Sequence, residues 1–204
     1  YILNIKTVQS GAFRILIEAL KEILTDGNLI FDETGMKLMA MDSTHTILIH
    51  MKLESCNFEF YHCPGKTITG VNMLNLFKLI KTMTNSETLT LFIEKNNEIS
   101  LGIRINNTEK NSQTTYKLNC TGDFAVQETI LGETNNGLKF NQITSEDKPV
   151  QGMYSLKYLM LFTKCTNLCN QINLYIKNDY PIVIRYNVAS LGDIKLCLAP
   201  NTID

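Results

Sequence analysis

The sequence predicts an α+β fold. Three observations carry that expectation: most of the chain reads as short strands with apolar residues at alternate positions, three segments carry the helical period instead, and the strands run on as hairpins without strict alternation with helices. At 204 residues the chain can form one large domain or two of about 100 residues each. Hydrophobic residues make up 44% and charged ones 19%, which excludes a disordered or collagen-like polymer. The longest apolar stretches are broken by Lys, Asn or Thr before they reach the ~18 residues of a membrane-spanning helix. The chain begins at Tyr1, so it is uninformative about a targeting segment.

The first helix is expected over Ser10–Leu24, where Phe13, Leu16, Ile17, Leu20, Ile23 and Leu24 recur every three or four residues and Ser10 stands as the N-cap. Strands follow at Gly35–Met41, Thr46–Leu53 and Phe58–Tyr61, with Asp32–Gly35 as the first turn. Asn72–Met83 returns to the helical period through Leu76, Phe77, Leu79, Ile80 and Met83. Thr88–Glu94 and Ile99–Ile105 read as a hairpin about Asn96-Asn97, and Gln113–Leu118 and Leu138–Asn141 as further strands. A third helix is expected over Ser155–Lys164, through Leu156, Leu159, Met160 and Phe162. Strands Gln171–Lys177, Ile182–Val188 and Ile194–Leu198 close the chain, with a turn at Asn178-Asp179.

An internal repeat organises these elements. Leu91-Phe92-Ile93-Glu94-Lys95-Asn96 followed by Ile103-Arg104 recurs as Leu174-Tyr175-Ile176-Lys177-Asn178-Asp179 followed by Ile184-Arg185, and a helix ending in Thr84-Asn85 or Thr166-Asn167 precedes each copy. A weaker echo links Glu33-Thr34-Gly35-Met36-Lys37-Leu38 with Glu133-Thr134 and Gly137-Leu138-Lys139-Phe140. The second copy lacks a counterpart of the Ser10–Leu24 helix, so material is expected to be absent near Leu118-Asn119-Cys120. The domain expectation is therefore 1–118 and an incomplete 119–204.

Lys+Arg total 19 and Asp+Glu 20, a formal net charge of −1, so the bulk balance does not announce a nucleic-acid binder. The distribution is less even. Helix Asn72–Met83 carries Lys78 and Lys81 without an acid, and helix Ser155–Lys164 carries Lys157 and Lys164 without one. Helix Ser10–Leu24 adds Arg14 and Lys21, diluted by Glu18 and Glu22. Such stripes fit ordinary solvated faces; they equally fit sequence-independent attraction to phosphate.

Motifs for phosphate cradling, metalloprotease zinc or a nucleophile elbow are absent. The six cysteines, at 56, 63, 120, 165, 169 and 197, contain no CxxC. They are expected to be small apolar side chains in a reducing, intracellular compartment rather than disulfides or zinc ligands. Asp42-Ser43-Thr44-His45 admits two readings: an acid–base cluster, with His45 and Asp42 in those roles, or a tight turn whose side chains bond the local backbone.

At this point the residues resemble a known family. Ala40-Met41-Asp42-Ser43-Thr44-His45, Gly70-Val71-Asn72-Met73, Glu18-Ala19-Leu20-Lys21, Tyr158-Leu159-Met160-Leu161-Phe162-Thr163-Lys164 and Leu198-Ala199-Pro200 are similar, in order, to proliferating cell nuclear antigen, the eukaryotic-type DNA sliding clamp. The resemblance implies a duplicated clamp fold, with antiparallel sheets outside and basic helices lining a ring. It implies a homotrimer around duplex DNA that confers processivity on DNA polymerase, has no catalytic residue, and needs no cofactor or metal.

Carried over residue by residue, the DNA-facing positions are Arg14, Lys21, Lys78, Lys81, Lys110, Lys157 and Lys164. A pocket for short peptides of DNA polymerase, clamp loader, ligase and flap nuclease falls on Met41, His45, Leu48, Pro181, Ala199 and Pro200. An edge strand for subunit contact falls on Glu109–Leu118, with Lys110, Ser112, Thr114 and Tyr116 in it. The resemblance favours the turn reading of Asp42–His45 and a nuclear or, for a virus, replication-factory location. The Asn-, Lys- and Ile-rich composition suggests an AT-rich genome such as that of a protist or large DNA virus. Departures are Cys197 in place of an aromatic, Ile15 in place of a second basic residue, no acidic C-terminal tail and no interdomain connector. The alternative is a clamp-like interaction module, monomeric or assembled with other subunits.

Overall fold

Along Leu3–Thr7 (β1) the side chains of Leu3, Ile5 and Thr7 are buried while those of Asn4 and Lys6 are not, the period of a half-buried strand. In the computed structural model residues 1–107, 137, 139, 141, 150 and 152–201 are described. Residues 1–110 and 150–204 form one unit and 111–149 a second; the elements below belong to the first.

Helix α1 (Ser10–Ile23) buries Phe13, Leu16, Ile17, Ala19 and Leu20. Ser10 is not its cap, contrary to the sequence expectation. Gln9 holds that position without a side-chain cap bond, and the Ser10 hydroxyl donates to the Thr84 carbonyl at 2.8 Å. Gly11 lies so close to the same loop that a Cβ would sit 1.7 Å from Asn85 Oδ1. Tertiary contact, rather than a local cap, fixes where this helix begins.

The chain continues through β2 (Asp26–Asp32), β3 (Gly35–Met41), β4 (Ile47–Glu54), a 3-10 turn at Ser55–Asn57, β5 (Phe60–His62) and β6 (Thr67–Asn72). Helix α2 (Met73–Ile80) is capped by Asn72, whose side chain accepts from the Asn75 N–H at 3.0 Å. Then come β7 (Glu87–Glu94), β8 (Asn97–Asn107), α3 (Leu156–Phe162) running into a 3-10 turn over Thr163–Leu168, β9 (Ile172–Tyr175), β10 (Ile182–Val188) and β11 (Gly192–Leu198).

Three strands differ from expectation because pairing, not local preference, makes them. β2 and β6 contain Gly and Asn and are not among the expected strands, yet they pair over a full six-residue register from Asp26 opposite Asn72 to Phe31 opposite Thr67. β1 is likewise held by β7 on one side and β5 on the other. The strand expected at Phe58–Tyr61 is displaced to Phe60–His62 because the 3-10 turn precedes it and Phe58 is drawn into the core. The second helix stops at Ile80, leaving Lys81 as its C-cap. Of the strand expected at Leu138–Asn141, Lys139 and Asn141 lie outside regular structure and the other two outside the described residues. The expected strand Gln113–Leu118, with Cys120, Glu133 and Thr134, also lies outside them.

Two antiparallel sheets result. One has the order β5-β1-β7-β8 and the other β6-β2-β3-β4-β11-β10-β9. The second joins the early strand β4 to the late strand β11 over seven residues, from Ile47 opposite Leu198 to Leu53 opposite Gly192. The internal repeat is structural: Leu91 lies opposite Ile103 in β7–β8 as Leu174 lies opposite Ile184 in β9–β10, and Arg104 and Arg185 follow one residue on. The helix ends correspond too, since Ile80 and Met83 are buried in the first copy and Phe162 and Cys165 in the second. Helix α1 touches both α2 and α3.

Gly35 closes the β2–β3 turn at φ +141°, and a Cβ there would lie 2.0 Å from the Leu53 carbonyl oxygen. Both the dihedral and the contact exclude a side chain. Gly35→Ala is expected to cost about 2–4 kcal/mol, read as a lowered urea midpoint with an unchanged slope.

Candidate functional site

Six of the seven residues expected to face DNA lie on or at the ends of the three helices. Arg14, half-buried on α1, faces Glu18 at 3.6 Å (Nη1 to Oε2), and Lys21 pairs with Glu22 while its ammonium sits 4.9 Å from the centre of the Phe77 ring. The cations of α1 are therefore partly neutralised by their own helix. Lys78, Lys81, Lys157 and Lys164 are exposed, and among the described residues none forms an ion pair. Lys157 rests 5.6 Å from the Tyr158 ring centre, and Lys164 acts on the Glu22 carboxylate only at longer range. Neither α2 nor α3 contains a carboxylate, so Lys78 and Lys157 have no acid on their own helix. Lys110, like Ser112, Thr114 and Tyr116 of the expected subunit edge, lies outside the described residues.

The second surface lies at one end of the seven-stranded sheet. Met41 is opposite Leu48, Leu48 opposite Cys197, Cys197 opposite Val183 and Val183 opposite Tyr175, a single row across five strands. Met41, Leu48 and Tyr175 are exposed, whereas the next row, Ala40, Ile49, Leu196 and Ile184, turns to the core side. At the same sheet end, Ile47 is opposite Leu198 and Leu198 opposite Ile182. This places Pro181, Ala199 and the turn before β4 side by side. The Ala199 N–H donates to the Thr46 carbonyl at 3.3 Å, and the Asn201 N–H to the Met153 carbonyl at 2.8 Å, so Pro200 is held between two anchored residues. The structure thus brings together all six of Met41, His45, Leu48, Pro181, Ala199 and Pro200.

Asp42 builds the turn that carries His45. Its Oδ1 accepts from the N–H groups of Thr46 (2.8 Å) and Ile47 (2.7 Å), and its Oδ2 from the Thr44 N–H (3.1 Å) and hydroxyl. The Asp42 N–H donates to the Ile47 carbonyl and the His45 N–H to the Asp42 carbonyl, both at 3.0 Å. His45 is driven to φ +56° and its side chain is exposed. Burial acts to raise the Asp42 pKa, but bonds from the Ile47 N–H, the Thr44 hydroxyl and the N–H groups of Thr46 and Thr44 outweigh it and hold the carboxyl below its usual range. Both carboxylate oxygens are engaged by the N–H groups and the Thr44 hydroxyl of its own turn, so the geometry is that of a structural Asx-type turn, not an acid–base pair.

Two neighbours of this surface were not evident from sequence. Tyr158 of α3 shares a 2.9 Å hydrogen bond with the Thr44 hydroxyl, tying the turn to the helix layer, and the Tyr154 hydroxyl donates to the Tyr180 carbonyl at 3.1 Å beside Pro181. Val183 and Tyr175 complete the apolar row; only the strand register, which joins segments far apart in the chain, reveals them. The cysteines behave mostly as apolar side chains. Cys63 and Cys165 are buried, burial pushing the Cys165 thiol up to about 12, and Cys169 and Cys197 are half-buried; Cys56, contrary to expectation, is exposed. Among the described residues no three His, Cys, Asp or Glu side chains gather as a metal site, and no helix is long and apolar enough to cross a membrane.

The comparisons with known proteins bear on both surfaces. The family model described as the proliferating cell nuclear antigen N-terminal domain matches residues 2–124, and that of the C-terminal domain matches residues 86–201. The chain belongs to the proliferating cell nuclear antigen family. As a member it is a DNA sliding clamp and not an enzyme, in agreement with the turn geometry of Asp42. The two family matches overlap over residues 86–124, the region that holds β7 and β8 of the internal repeat. The chain is also similar to the "Probable DNA polymerase sliding clamp 1" of Paramecium bursaria Chlorella virus 1, 29% identical over 255 positions, covering 97% of this chain and 96% of the relative. That alignment has more positions than the chain has residues, so it leaves internal stretches of the relative without a counterpart here.

Proposed function

We propose that the chain encircles duplex DNA as a homotrimer, tracks the backbone through the helix layer, and recruits DNA polymerase and other replication proteins through the Met41–Pro200 surface. One observation carries the DNA reading: on a protein of net charge −1, Lys78, Lys81, Lys157 and Lys164 are exposed on or beside the helices and none forms an ion pair among the described residues. Such contacts are sequence-independent and salt-sensitive, as sliding requires. Arg14 and Lys21 are secondary in this scheme because Glu18 and Glu22 already engage them; Lys110 is included by family position alone.

The row Met41, Leu48, Cys197 and Val183, closed by His45, Pro181, Ala199 and Pro200, supports peptide docking, because an exposed apolar strip bounded by a rigid turn suits a short apolar anchor. Clamp loader, ligase and flap nuclease are partners of the same kind, and Lys110, Ser112, Thr114 and Tyr116 form the proposed subunit edge. Division into clamp domains 1–118 and 119–204 rests on the internal repeat. The viral relative also supports residence at DNA replication sites, nuclear or in a replication factory.

Light scattering tests the assembly: a mass three times that of the chain is expected, and a stable monomer at high concentration would favour the interaction-module alternative. Leu48→Glu places a charge in the apolar row at an exposed position and is expected to lower the affinity for a polymerase-derived docking peptide at least about tenfold, read by calorimetry, with the oligomeric mass unchanged.

A further inference from the structure

Alternation along the strands of the seven-stranded sheet places a second row on the same face as Met41, Leu48, Cys197, Val183 and Tyr175, two residues along each strand and about 7 Å away. In that row Met39 is opposite His50, His50 opposite Lys195, Lys195 opposite Arg185 and Arg185 opposite Asn173. The apolar row thus has the His45 turn with Pro181, Ala199 and Pro200 at one side, and the basic side chains of His50, Lys195 and Arg185 at the other.

Neighbours on this face settle most of its charge. Lys37 pairs with Asp32 at 2.6 Å, Lys52 with Glu54 at 2.6 Å, and Arg185 with Asp193 through both Nη2 (2.9 Å) and Nε (3.1 Å). Each of these acids is engaged by its own cation. Lys195 forms no ion pair among the described residues. Its charge reaches the apolar row all the same: burial raises the pKa of the Cys197 thiol, and the Lys195 ammonium acts to lower it.

We propose that Lys195 selects the partner peptide: the segment that docks on the Leu48–Cys197 strip carries a carboxylate beside its apolar anchor, and that carboxylate pairs with the Lys195 ammonium. This selection rests on the docking reading above and adds to it the chemistry of the occupant. DNA polymerase, a partner of sliding clamps, is a separate polypeptide, so the occupant comes in trans. Spacing places the carboxylate. An extended segment advances about 3.4 Å per residue and turns every second side chain to the same side, so Asp or Glu two positions from the anchor faces Lys195. A basic residue there would instead meet Lys195 and Arg185, with Asp193 already engaged. Complementarity of this kind discriminates between partners more than it adds affinity.

The test uses the full chain and a polymerase-derived docking peptide made in three forms, with Asp, Asn or Lys two positions to either side of its apolar anchor. By calorimetry at low salt the Asp form is expected to bind about threefold tighter than the Asn form and about tenfold tighter than the Lys form, as a partly exposed ion pair allows. The gap should close at about 0.5 M salt. In Lys195→Glu the order is expected to reverse and in Lys195→Met to vanish, while Leu48→Glu weakens all three forms alike. Circular dichroism confirms that the variants are folded. Three results would overturn the proposal: equal binding of the three forms by the parent chain, which a carboxylate outside the described residues already paired with Lys195 would produce; an unchanged preference in Lys195→Met; or a preference that salt does not reduce. Failure of every form to bind would instead remove the docking reading itself, and this selection with it.

Discussion

Replacing Lys78, Lys81, Lys157 and Lys164 together by Ala is expected to weaken binding to duplex DNA at least about 100-fold near 0.1 M salt, because each lost phosphate contact removes released counterions. The salt slope should fall by about one unit for every lysine that touches phosphate. All four side chains are exposed and none has an ion-pair partner among the described residues, so the fold should lose little. The corresponding change at Arg14 and Lys21 is expected to act less on DNA, since Glu18 and Glu22 already share their charge. Fluorescence anisotropy across a salt series, with stimulation of DNA polymerase as the second readout, checks this; unchanged affinity and slope in the fourfold variant would remove the helix layer from DNA contact.

Asp42→Ala is expected to destabilise the chain by about 3 kcal/mol and to abolish peptide docking. The Ile47 N–H is buried, and it loses its side-chain acceptor together with those of Thr46 and Thr44; hydrogen bonds to a charged group are worth about 1.5–3 kcal/mol each. Without that carboxylate the turn no longer holds His45 in its left-handed conformation, so the rim of the proposed docking surface is expected to loosen. Thr44→Val separates the two effects. It keeps the backbone bonds to Asp42 but removes the hydroxyl shared with Tyr158, and is expected to cost about 1 kcal/mol. The pH dependence follows in sign. The folded Asp42 pKa is depressed, so its contribution is complete above the ordinary carboxylate value near 4 and is lost as the pH falls through the lower folded value. Urea midpoints measured from pH 6 down to pH 3 should decline for the parent chain and decline less for Asp42→Ala.

The parts of this fold legible in the sequence are those whose signal is local. Ile182–Val188, apolar at every other position from Ile182 to Val188, is a strand with the expected bounds; Phe13, Leu16, Ile17 and Leu20 mark one face of α1 and are all buried. The repeat around Leu91 and Leu174 was readable because both copies keep the order of apolar and basic residues, and it recurs as matching register. What escaped is made by distant partners. β2 and β6 are strands because each supplies the other's hydrogen bonds, and Ser10 abandons the cap for the Thr84 carbonyl seventy-four residues on. The proposed docking surface divides the same way. Asp42–His45 was recognisable as a turn from residue type, but its link through Thr44 to Tyr158, and the row from Met41 to Tyr175, exist only once β4 meets β11.

That meeting of β4 with β11 also sets a schedule for synthesis. Ile47 must wait for Leu198, so the chain through Leu198 has to leave the ribosome before the seven-stranded sheet can close, and until then β4 presents an open ladder edge. The other sheet has all of its described strands, β1, β5, β7 and β8, by Asn107, and these can pair on the nascent chain. Folding is therefore expected in two stages, an early amino-terminal nucleus and a late clasp by the final hairpin, with the interval between them the period in which chaperone protection matters most.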